Sequence, residues 1–102
     1  MPDKSEKKLA YDRAVRDLGV RNRIDLGEIQ TQLACLIRPE DMRPFAAPWW
    51  TGKEAYLMAV DFDGNFILRH SGGRVLYCDR TTKEVTEIAG SVAEFIAYLD
   101  WA

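Results

Sequence analysis

The chain has 102 residues, of which 47% are hydrophobic and 29% charged, and its net charge is −2. That length suits one domain able to bury roughly two-thirds of its unfolded surface, and the composition excludes an intrinsically disordered chain. No apolar run approaches the roughly 20 residues of a membrane-spanning helix. Residues 51–102 hold five basic and eight acidic side chains, against nine and eight in residues 1–50, which argues against a nucleic-acid or anionic-membrane surface on the second half.

The first residues, Met1 to Lys8, lack the apolar stretch of a secretory signal, so the expected address is the cytoplasm. Over about residues 5–18, Tyr11, Ala14, Val15 and Leu18 recur at helical spacing and predict an amphipathic helix ended by Gly19. Asp25 with Glu28 three residues on reads as an N-cap. Leu26, Ile29, Leu33, Leu36 and Ile37 then repeat with helical period, so a second helix is predicted over about residues 25–37, with Cys35 on its apolar face. From Arg38 to Gly52 come Pro39, Pro44 and Pro48 together with Phe45, Trp49 and Trp50, an irregular connection carrying large apolar side chains.

From Ala55 the period changes. Short apolar runs at about 55–60, 66–70, 74–79 and 85–89 are separated by Asp63-Gly64-Asn65, by Ser71-Gly72-Gly73 and by the polar stretch Asp79 to Glu84. Gly and Asn tolerate the backbone of tight turns, so these runs predict a four-stranded antiparallel meander. Ser91 and Glu94 form a capping box, and Val92, Phe95, Ile96 and Leu99 follow at helical spacing, which predicts a C-terminal helix over 91–101 packed on the sheet. The expected fold is a single α+β domain over residues 1–102 with two N-terminal helices.

No reactive constellation stands out. His70 is the only histidine, no nucleophile-elbow pattern surrounds any serine, and no catalytic residue is assigned. Asp61 and Asp63 could share a face, but the calcium-loop spacing fails, so a turn-forming role is expected of Asp63 and Asn65. Gly72-Gly73 precedes a strand and lacks the Lys of a phosphate loop. Arg13, Arg16, Arg21 and Arg23 interleave with Asp12, Asp17 and Asp25 and read as a solvated face of mixed charge. Cys35 and Cys78 stand 43 positions apart without a metal or redox spacing, and are expected to be reduced and partly buried. No metal or other cofactor is expected. Trp49 and Trp50 are adjacent, and Trp is over-represented where partners dock.

The stretch Tyr56 to Leu68 with its Asp63-Gly64-Asn65 turn, then Gly73 to Arg80, then Ile88 to Leu99 with Ser91 and Phe95-Ile96, resembles the C-terminal half of the SUKH superfamily. The likeness spans roughly residues 55–100, and the family's leading Leu-Pro segment has no counterpart in residues 1–54. It implies a non-catalytic bacterial protein that neutralises a cognate toxin by binding it, with no cofactor. The acidic sheet half would suit a basic toxin domain, and the candidate contacts are Trp49, Trp50, Asp61, Asp63, Asp79, Glu84 and Glu87. A second reading is a homodimeric scaffold that buries the Trp49-Trp50 loop or an outer strand edge, although Lys83, Glu84 and Glu87 discourage pairing at the last strand. A third is a small hydrolase-type enzyme joining His70 to Asp61 or Asp63.

Overall fold

The computed structural model describes residues 11–46, 50 and 54–100. Its centre is one antiparallel sheet of six strands in sequence order: β1 (Arg23–Asp25), β2 (Gln30–Leu36), β3 (Ala55–Asp61), β4 (Phe66–His70), β5 (Val75–Cys78) and β6 (Val85–Ala89). Among the described residues two α-helical segments accompany it, α1 over residues 11–16 and α2 over Val92–Ala97, with a single 3-10 turn at Pro39–Asp41. The sheet therefore has six strands where four were expected. Residues 5–10 of the expected first helix and residue 101 of the last lie outside the described residues.

The expected helix over 25–37 is instead the β1–β2 hairpin, and its sequence shows why the two were confused. Asp25 does not cap a helix; its Oδ1 accepts the Gly27 N–H at 3.0 Å, and Gly27 turns the chain at φ +81°, where a side chain is disfavoured. Leu33 faces Asp61 but Cys35 faces Val60, so an extra residue is inserted between them. This bulge returns both Leu33 and Leu36 to the buried face, three residues apart, which imitates helical spacing. Cys35 consequently lies exposed on the strand, not on a buried face, while Cys78 is buried.

Two further irregularities sit at Leu57/Ala59 in β3 and opposite Val75/Leu76 in β6. Bulges increase local twist, and three in one sheet curl it into half a barrel. The hollow face is filled by Ile24, Leu33, Met58, Ile67 and Val75, with Tyr11 of α1 and Phe95 of α2 laid across them. Each fully buried side chain of this size contributes about 1.5–3 kcal/mol. Ala55, Leu68 and Cys78 form a smaller cluster on the opposite face, where Phe45 and Trp50 pack from the loop.

Both helices are placed by specific contacts. The Tyr11 hydroxyl donates to the Ile37 carbonyl, holding α1 against the end of β2. Ser91 Oγ accepts the Glu94 N–H at 3.1 Å, and Glu94 Oε2 reaches back to the Gly90 N–H at 3.2 Å. After Ala97 the chain leaves the helix, because Asp100 pairs with Arg23 through two backbone hydrogen bonds of 3.1 and 2.8 Å. The last described residue thus covers the outer edge of β1. Among the described residues no helix is long and apolar enough to cross a membrane.

Candidate functional site

The antiparallel order gathers three turns at one end of the half-barrel: residues 26–29, 62–65 and 79–84. At their centre stands Asp61, 2% exposed, at the last position of β3. Its Oδ1 accepts the backbone N–H groups of Asp63 (3.0 Å) and Asn65 (2.8 Å). Its Oδ2 accepts from the Thr31 hydroxyl (2.8 Å), the Tyr77 hydroxyl (3.0 Å) and Asn65 Nδ2 (3.2 Å). Five donors therefore converge on one buried carboxylate, tying β2, the β3–β4 turn and β5 together. Asn65 extends the network, since its Nδ2 also meets the Tyr77 hydroxyl at 2.7 Å and its Oδ1 accepts the Arg80 N–H at 3.1 Å.

The side chain organising this turn is Asp61, not Asp63. A carboxylate whose two oxygens already accept five hydrogen bonds has no lone pair to spare for a cation, and no cluster of three metal-ligating residues occurs among the described residues. Gly64, at φ +84°, keeps the turn flat enough for the Arg80 guanidinium to lie over it; a methyl group there would stand 3.2 Å from Arg80.

Around this rigid centre the surface carries acidic side chains and the most exposed large apolar group among the described residues. Phe62, 68% exposed, stands at the tip of the β3–β4 turn beside exposed Asp63. A groove of about 420 Å³ runs from Phe62 and Asp63 along Gln30, Thr31 and Gln32 to Arg23. A second of about 290 Å³ lies on the other side of the 26–29 hairpin, lined by Glu28, Ile29, Tyr77, Asp79, Glu84 and Thr86. Asp79 accepts the Thr81 and Thr82 N–H groups at 2.8 and 3.0 Å, which hold its carboxyl below the usual range.

The sequence-predicted contact residues do not form one set. Asp63, Asp79 and Glu84 share the turn end but line separate grooves, Asp63 the first and the other two the second. Asp61 is beneath them and buried. Glu87 lies midway along β6, ion-paired to Arg74 at 3.5 Å, and Trp50 belongs to the opposite face, edge-on to Phe45 at 5.4 Å. Trp49 lies outside the described residues. His70 pairs with Ala55, six residues along β3 from Asp61, a separation of about 20 Å at the rise of a strand, so the hydrolase-type pairing is not assembled. The basic cluster is likewise dispersed: Arg16 contacts Asp17, Arg23 contacts Asp25, and Arg21 donates to the Leu99 carbonyl.

Phe62, Glu28, Thr31, Asn65, Tyr77 and Arg80 were not singled out from the sequence as contacts. Phe62 carried a signal, an isolated aromatic inside a polar turn. Tyr77 reads as one more apolar residue of a strand until its hydroxyl is seen to reach Asp61.

Burial and the Asp61 hydrogen bond push the Tyr77 phenol up to about 12. Tyr11 is raised by burial, and Tyr56 and Tyr98 by hydrogen bonds to Glu54 and Glu94, so all four tyrosines are shifted the same way. The folded state then holds phenolic protons that the unfolded chain releases near pH 10. Stability is unaffected below that pH and falls as pH rises through the folded values. Absorbance at the tyrosinate band is expected to be lower at pH 10 in the native protein than in urea, where it should reach about half its maximum. Equal ionisation in both states would contradict the network.

No family model, curated protein or solved structure matches the chain.

Proposed function

We propose that this protein is a non-catalytic binding module of the cytoplasm that presents the turn end of its half-barrel to a basic protein partner, most concretely as an immunity protein neutralising a bacterial toxin. The observation that carries the reading is the exposed Phe62 held on a backbone that Asp61 fixes from beneath. An anchor on a preorganised turn loses little conformational entropy on docking. Asp25, Glu28, Asp63, Asp79 and Glu84 lie at or beside the turns of the same end, with Arg23, Arg80 and Lys83, so the end carries an acidic surplus that favours fast encounter with a basic surface. The likeness of residues 55–100 to SUKH immunity proteins supports the same class, with no cofactor, nucleic acid or membrane as partner.

The test is co-expression with the product of the neighbouring reading frame in a bacterial host. Growth arrest caused by that product alone should be relieved by the wild-type chain, with the two proteins co-eluting as a complex. Arrest undiminished by a folded, well-expressed chain would count against the toxin reading.

A further inference from the structure

The two edges of the sheet are treated differently. The outer edge of β1 is occupied by Asp100, whereas no described strand pairs with the outer edge of β6. The direction of β6's hydrogen-bonding groups follows from its partner. Asp79 N–H donates to the Glu84 carbonyl at 3.0 Å, and antiparallel ladders alternate, so Thr86 is bonded inward to Tyr77 while Val85 and Glu87 direct their N–H and C=O groups outward. Val85 is also one of three large hydrophobic side chains exposed among the described residues, at 42%.

We infer that β6 pairs with β6 of a second copy of this chain, antiparallel about a two-fold axis through Thr86, joining two half-barrels into one continuous sheet. This register places Val85 opposite Glu87 twice and satisfies the outward groups of both residues in each copy. It is also the register the charges permit. Sliding by one residue to centre on Glu87 would set two carboxylates face to face, and centring on Val85 would draw Lys83, at φ +64° and outside the strand, into the ladder. With Thr86 at the axis the ladder runs from Val85 to Glu87 in each copy, ending at the bulge that Ile88 forms, and no like charges oppose within it. Glu87 is already neutralised by Arg74 on its own chain. Because the strands run in opposite directions, the two turn ends point away from one another, and Phe62 and Asp63 of each copy stay clear of the seam, whereas Thr86, which also lines the second groove, lies on it.

Cysteine cross-linking reads the register directly. Opposed Cβ atoms of a non-hydrogen-bonded pair stand about 4.5–5 Å apart, close to what a disulfide spans. In a Cys35→Ser background, Thr86→Cys is expected to give a covalent dimer on mild oxidation, while Val85→Cys and Glu87→Cys alone give no covalent dimer and the double variant cross-links. Buried Cys78 takes no part. Thr86→Lys places two ammonium groups on the axis and should weaken the dimer more than about tenfold in sedimentation velocity without changing the circular dichroism spectrum. A monomer at millimolar wild-type concentration, or cross-linking equal at positions 85, 86 and 87, overturns the inference.

Discussion

Asp61→Ala is expected to destabilise the fold by about 4 kcal/mol, a large share of the 5–15 kcal/mol typical of such a domain. The substitution leaves the Thr31 and Tyr77 hydroxyls, the Asn65 amide and two backbone N–H groups without their acceptor in a site that is 2% exposed. An unsatisfied buried donor costs about 1–3 kcal/mol, and only those near the turn surface can recover a water. Asp61→Asn is the sharper test. It keeps an acceptor for the two backbone groups and offers an NH₂ where three donors point. The Thr31 and Tyr77 hydroxyls can rotate to accept from it. Asn65 cannot flip its amide to do so, because its Oδ1 is held by the Arg80 N–H. The cost should fall to about 2 kcal/mol, and Tyr77→Phe should add less on top of Asp61→Asn than it does in the wild type. Urea unfolding with an unchanged m value measures all of these. A loss below about 1 kcal/mol for Asp61→Ala would mean that the turn is held by its backbone alone.

How much of this was legible in the chain depends on whether the decisive interaction was local. The turn at Gly64, the strands that follow it and the Ser91–Glu94 cap are set by neighbours within a few residues, and each was readable as glycine, as a short apolar run between turns or as a capping pair. The β1–β2 hairpin was not, because the bulge between Leu33 and Cys35 is defined by its register against β3, about 25 residues away in sequence, and without that partner the apolar spacing is helical. The end of α2 was hidden for a similar reason: only the pairing of Asp100 with Arg23 draws the chain out of the helix. The site was partly visible. The acidic turn residues were chosen for their charge, which is a property of the residue. Whether a carboxylate faces solvent or five donors is a property of the fold, and Asp61 and Asp63, two positions apart, divide on that point.

That division decides which substitution probes binding. Reversing the charge at Asp61 would unfold the turn and report stability in place of affinity, whereas Phe62 and Asp63 can be changed on an intact scaffold. Phe62→Ala should alter stability by no more than about 0.5 kcal/mol, since the ring is 68% exposed. As the most exposed large apolar group among the described residues it should act as the interface anchor, so its loss is expected to cost about 2–3 kcal/mol of affinity, roughly 30- to 150-fold in Kd for the proposed partner, mostly through faster dissociation. Asp63→Lys should act on the other rate. A rim charge steers encounter, so association should slow and its dependence on salt should flatten, with dissociation changed less. Surface plasmon resonance at two ionic strengths separates the two effects. Should Phe62→Ala leave both rate constants unchanged while Trp50→Ala abolishes binding, the partner would be engaging the opposite face of the sheet, where Trp50 and Phe45 lie over Leu68.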